Sequence, residues 1–227
     1  MAKLAAMLEA GQYYEAHQLY RTLYFRLTNA NKLNELSQLL YEGAITFLKR
    51  NQFNSGSDLA CLYLDVILKD EQMINTSEQK EQLIINVANL FQRIPAKTPE
   101  RLQFVTKSLM ITCVPVSSIH EQFANILWKE KNYAESRYHF LHSNDESSNN
   151  CALMLIEYQV SCGYPSEVDL FITQFVLQFL CVKKTKAKVD QTFQVYTLKH
   201  PSIKNSNPPF ILPLLNFLWF LLLAIDR

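Results

Sequence analysis

Only four glycines, Gly11, Gly43, Gly56 and Gly163, occur in 227 residues. That scarcity argues against β-rich folds, which need a tight turn at nearly every strand end. Apolar residues at helical spacing fill the chain instead. The spacing predicts helices near 2–10, 12–29, 32–50, 55–70, 78–94, 98–113, 118–131, 133–143, 148–162, 165–182, 187–200 and 210–225. Gly11 and Gly163 read as left-handed helix ends, and Thr98-Pro99-Glu100 as a cap followed by proline at the first helical position. Ser166, beside Pro165, reads as a further cap. Asn207-Pro208-Pro209 reads as a rigid linker. Connections of about two to seven residues fold successive helices back antiparallel.

A degenerate repeat runs through these helices: large apolar, four residues, aromatic, two residues, small, three residues, apolar. Leu8, Tyr13, Ala16 and Tyr20 fit it, as do Leu48, Phe53, Gly56 and Ala60, and then Trp128, Tyr133, Ser136 and Phe140. The aromatic position recurs with a period of 40, and the copy due near 93 is lost in LFQRIPAKTPERLQF. The small residue lets paired helices approach, and the aromatic fills the groove between them. Such repeats stack as α-solenoids. The expected fold class is all-α: a right-handed, TPR-like solenoid of antiparallel helical hairpins, about 12 helices in one domain.

Charge and motifs exclude several function classes. The net charge is +1, so no whole-chain field draws nucleic acid or a membrane surface. No GxGxxG, GxxxxGK[ST], GxSxG or HExxH occurs. That removes the nucleotide, hydrolase and zinc-protease readings with recognisable motifs without excluding every enzyme, and no cofactor is expected. Cys61, Cys113, Cys151, Cys162 and Cys181 are odd in number, widely spaced and set among apolar residues. They read as reduced thiols in a cytosolic protein. The N-terminus meets Glu9 too soon for a secretory signal, which leaves the Asn75-Thr76-Ser77 sequon without weight.

Three segments hold residual chemistry. His139 and His142, helical neighbours with Cys151 beyond, are the strongest metal candidates. They lack a converging set, and the reading adopted is histidines at a helix end, meeting carbonyls or the dipole. The basic run Lys183-Lys184-Thr185-Lys186-Ala187-Lys188 reads as a solvated connector. From Phe210 to Ile225 the chain is uncharged, but Pro213 and Asn216 interrupt it and it falls short of the roughly 20 apolar residues of a span. It reads as a buried helix awaiting a further helix, in a chain truncated at its C-terminus.

The most informative helix is 12–29. At about 100° per residue, Tyr13, Ala16, Tyr20, Leu23, Tyr24 and Leu27 share one face. Tyr14, Gln18, Arg21 and Phe25 form a second stripe, with the Tyr and Arg content of interface hot spots.

GQYYEAHQLYRTLYFR, YEGAITFLK, GSDLACLYLDV, LWKEKNYAESRYHFLHS, GYPSEVDLF, VLQFLC, KHPSI and PPFILPLLNFLWFLLLAID run in order through nearly the whole chain. Together they resemble the Golgi-to-ER traffic protein four family. Its members are solenoid adaptors of the guided entry of tail-anchored proteins pathway, also described as transmembrane-domain recognition complex subunits. The resemblance implies a cytosolic, non-catalytic adaptor. Residues 1–115 would bind the pathway's dimeric targeting ATPase. Residues 116–227 would form an incomplete half for a ubiquitin-like-domain partner and, in animals, a large ubiquitin-like (BAG-type) chaperone scaffold. No nucleic acid and no direct membrane insertion are implied. The matching N-terminal motif points to Tyr14, His17, Gln18 and Arg21 on the second helix, and the GSD turn adds Asp58 beside a helix start. Family members continue beyond LLLAID, which puts the ubiquitin-like-partner site in doubt. The competing reading is a generic helical-repeat scaffold subunit of another complex.

Overall fold

A computed structural model describes residues 2–182 and 186–225. Among them lie twelve α-helices and no strand: α1 (Ala2–Glu9), α2 (Tyr13–Asn29), α3 (Leu33–Lys49), α4 (Phe53–Lys69), α5 (Ser77–Arg93), α6 (Pro99–Ser108), α7 (Val116–Lys129), α8 (Tyr133–His142), α9 (Ser148–Cys162), α10 (Val168–Val182), α11 (Ala187–Lys199) and α12 (Pro213–Ala224). The chain forms two compact units, Met1–Ile119 and His120–Arg227.

Four connections share one geometry. Gly11, Asn31, Asn51 and Lys131 have φ between 54° and 73°. In each turn the next residue's N–H reaches back five residues, Gln12 to Met7, Lys32 to Leu27, Gln52 to Phe47 and Asn132 to Leu127, at 2.9–3.0 Å. The left-handed residue's own N–H meets the carbonyl three residues back. This is the Schellman closure of a helix end. Three of the four turns stand before the aromatic position of the repeat, which gives the 40-residue period its structural basis. The small position follows one turn later, and Ala16, Gly56 and Ser136 are all buried. A Cβ on Gly56 would stand 2.7 Å from the Leu48 side chain.

The first unit buries Ala16 and Tyr20 of α2, Leu36, Leu40, Ala44 and Phe47 of α3, and Leu59, Ala60 and Leu64 of α4. Gly43 lets α3 approach α2 closely, since a Cβ there would meet the Tyr20 ring at 2.6 Å. Thr76 and Gln79 form a reciprocal capping box at the start of α5. Thr98 Oγ1 accepts the Arg101 N–H at 3.3 Å with Pro99 at the first helical position of α6, as expected.

The second unit is built on Phe140, Cys151, Met154, Leu155, Ile172, Phe175, Val176, Phe179, Val189 and Tyr196. Pro165–Val182 has the length and mean hydropathy, 1.2, of a membrane span, and within the unit its Ile172, Phe175, Val176 and Phe179 are core residues.

Several local expectations are corrected. The helix expected over 98–113 stops at Ser108, because the chain turns to bury Ile111 and Val114 ahead of Pro115. Gly163 is extended, not left-handed (φ −95°, ψ 165°). Glycine is needed there because a Cβ would meet Phe171 at 2.8 Å. Ser166 caps nothing among the described contacts; the Glu167 carboxylate takes the Tyr164 N–H at 2.9 Å. The last helix starts at Pro213, not 210, and buries one face only, with Leu215, Leu218 and Leu222 inside and Phe217, Phe220 and Leu223 exposed. Asn216 does not break it: its side chain accepts the Phe210 N–H and donates to the Phe210 carbonyl, both at 2.7 Å.

Candidate partner-binding surface

The surface on α2 begins with Phe47, a fully buried ring of α3. Tyr13, His17 and Tyr20, one face of α2, meet it edge-on with ring centroids 5.8–6.4 Å away. That fixes the rotation of α2 about its axis. The neighbouring stripe of Tyr14, Gln18, Arg21 and Phe25 then points to solvent, Tyr14 at 72% exposure and Phe25 at 60%. The two stripes expected from spacing are thus one packed and one open.

Asp58 of α4 ties this stripe to the fold. Its Oδ2 lies 2.8 Å from His17 Nε2 and 3.9 Å from Arg21 Nη1. Asp58 does not stand on a turn beside a helix start: Gly56, Ser57 and Asp58 lie inside α4. From there the carboxylate braces two α2 side chains one turn apart. Tyr14 is open, and His17 turns toward Phe47 and Asp58. Tyr14, Gln18 and Arg21 therefore present an aromatic ring, an amide and a guanidinium on one helix face. Phe25, left out of the site by motif matching, extends the same row; its i+4 spacing from Arg21 was the available signal.

Other candidates resolve as structural. His139 is buried with its Nδ1 2.8 Å from Nδ1 of His120, so one ring donates and the other accepts. Burial, then the neighbouring His120 and His142, push the His139 pKa down to about 3. The expected carbonyl or dipole contact at a helix end gives way to this ring pair, and His120 was missed for its distance in sequence. Among the described residues no group of three or more His, Cys, Asp or Glu could hold a metal ion.

Of the basic run, Lys183, Lys184 and Thr185 lie outside the described residues. Its solvated reading fails at Lys188, which is fully buried in α11. Lys188 Nζ donates to the Phe140 carbonyl at 2.6 Å, the Ser143 carbonyl at 3.2 Å, Ser143 Oγ at 2.6 Å and Ser147 Oγ at 3.1 Å. The cysteines are all free thiols; Cys61 and Cys151 are buried, Cys113 is half-buried, and Cys162 and Cys181 are exposed despite their apolar neighbours in sequence.

Known proteins resemble this chain along nearly its whole length. The sequence profile described as Golgi to ER traffic protein 4 matches residues 30–227. The chain is 47% identical over 229 residues to the Golgi to ER traffic protein 4 homolog of Homo sapiens, covering 99% of this chain and 67% of that one. Against the Oryzias latipes homolog it is 47% identical over 229 residues, covering 99% and 68%. Against Xenopus laevis homolog B it is 48% identical over 230 residues, with the same coverage. The crystal structure of C. therm. Get4 matches with a TM-score of 0.83 at 21% sequence identity, covering 100% of this chain and 76% of that one. That likeness shows the all-α solenoid fold.

Proposed function

Because the chain belongs to the Golgi to ER traffic protein 4 family, we propose that it is a cytosolic, non-catalytic adaptor in the delivery of tail-anchored proteins to the ER. It captures the dimeric targeting ATPase through the outer stripe of α2. Tyr14 and Arg21 are the anchors, Gln18 adds an adaptable hydrogen bond, and His17 and Asp58 set the Arg21 geometry. The second unit carries contacts to a ubiquitin-like-domain partner and, in animals, to a large ubiquitin-like chaperone scaffold. Holding the ATPase beside the client-bearing chaperone raises its effective concentration there and needs no chemistry in the adaptor.

The observation that carries this reading is the open Tyr14–Gln18–Arg21 row, braced from beneath by Asp58. Aromatic and arginine anchors dominate protein interfaces, at about 2 kcal/mol or more each. Arg21→Glu is expected to weaken ATPase capture at least about tenfold while leaving helicity unchanged, since Arg21 is exposed. Capture equal to that of the parent removes Arg21 from the site. Failure of the parent chain, shown to be helical, to capture the ATPase rejects the reading.

A further inference from the structure

We propose that a polar cleft between α7 and α9 in the second unit binds the C-terminal end of an extended peptide through its free carboxylate. The cleft has a volume of about 520 Å³, within the roughly 300–1,000 Å³ of small-ligand pockets. It admits the end of a chain but no folded domain. Gln122, Asn125 and Lys129 of α7 enter it at helical spacing, Asn150 and Glu157 of α9 face them, and Lys131 follows α7.

Two amides and one lysine of the lining, Asn125, Asn150 and Lys129, have matches in such a ligand. Asn150 Nδ2 donates to Asn125 Oδ1 at 3.3 Å, which uses one polar atom of each amide. The other atoms, a donor on Asn125 and an acceptor on Asn150, complement the C=O and N–H of one peptide unit. Lys129 stands one helical turn from Asn125, where i,i+4 Cβ atoms are about 6 Å apart. A ligand in which a main-chain unit stands next to a negative charge would meet both. That is the arrangement at a chain terminus, where the carboxylate follows the last peptide unit by a single Cα.

The one acid in the lining does not oppose this. Glu157 accepts hydrogen bonds from Lys131, from Tyr133 Oη at 2.8 Å and from Trp128 Nε1 at 2.9 Å. The Lys131 contact, then the Tyr133 hydroxyl, holds its carboxyl below the usual range. Lys131 is thus already paired with Glu157, and Lys129 is the lysine of the lining that would meet the ligand carboxylate. Lys131 also stands at the left-handed turn position that Gly11, Asn31 and Asn51 fill elsewhere. A lysine there is conformationally disfavoured, and its ammonium pairs with Glu157 at the cleft wall.

The test uses the full 227-residue chain, a set of fluorescein-labelled short peptides with free C-termini and the same set amidated, read by anisotropy. Members of the free-acid set are expected to bind. Amidation and Lys129→Glu should each weaken them at least about tenfold, the loss of one charge-assisted hydrogen bond. Should Lys129→Glu lose helicity, Gln122→Ala replaces it with loss of binding again expected. Three results overturn the proposal: no free-acid member bound at about 1 mM, the weak end of specific affinity; equal binding of the amidated set, which signals acidic side chains as the ligand; or full binding by a folded cleft variant.

Discussion

Asn216 shows how a residue that looks like an interruption can be a requirement. Within an apolar run it satisfies both main-chain groups of Phe210, a buried residue outside any helix. Asn216→Leu would make the run more hydrophobic and yet strand that N–H and C=O. It is expected to cost about 2 kcal/mol or more in urea unfolding. The glycines divide in the same way. Gly11 has φ +73° with nothing within 4 Å of a would-be Cβ, so Gly11→Ala should cost about 1 kcal/mol from backbone conformation alone. An equal midpoint for variant and parent would refute that account. Sequence reading marked both Gly11 and Gly163 as helix ends; only contact with Phe171, remote from pattern analysis, shows why Gly163 differs.

The bounds of α11 follow from spacing, but its buried face does not. Its lysines look solvent-facing in a basic run, but Lys188, Val189, Thr192, Phe193 and Tyr196 form one buried face. The spacing of Lys188 within that face was legible; the oxygen-rich turn after α8 that receives its ammonium was not. Lys188→Met keeps the length and removes four donor contacts to three residues, Phe140, Ser143 and Ser147. Since hydrogen bonds to charged groups contribute about 1.5–3 kcal/mol each, the variant should lose at least about 2 kcal/mol. Hydrogen exchange should rise first in 140–148; uniform protection there would show the ammonium to be dispensable. By contrast α2 was legible in detail, because two faces of one helix follow from spacing alone. Its Asp58 brace was not, since it comes from a helix two elements later.

The two units are expected to differ in their sensitivity to acid. Four of the five histidines, His120, His139, His142 and His200, lie in His120–Arg227, as do both tryptophans, Trp128 and Trp219. The His139 pKa is about 3 when folded, against about 6.5 unfolded; burial lowers that of His200 too. The unfolded chain therefore binds more protons in this window. Stability is full above about pH 6.5 and falls as pH drops toward the folded value. Tryptophan emission reports this unit alone, whereas far-ultraviolet dichroism averages the whole chain. Lowering pH from 7.5 to 5.5 should move the emission-detected urea midpoint down further than the dichroism-detected one, and His139→Asn should narrow the difference. Equal movement of both midpoints would contradict the assignment. The helical class was readable from periodicity, but this asymmetry depended on which histidines tertiary packing would dehydrate.

The shared turn has a consequence for how the chain tolerates change. Because Gly11, Asn31 and Asn51 close their helices with the same two hydrogen bonds, these linkers leave no slack to absorb an indel. One residue deleted early in α2 would swing everything after it by about 100°, carrying Arg21 off the row it shares with Tyr14. Loss of seven residues, close to two full turns, would nearly restore the azimuth. Insertions and deletions in such a chain are thus quantised by helical phase, whatever side chains they carry.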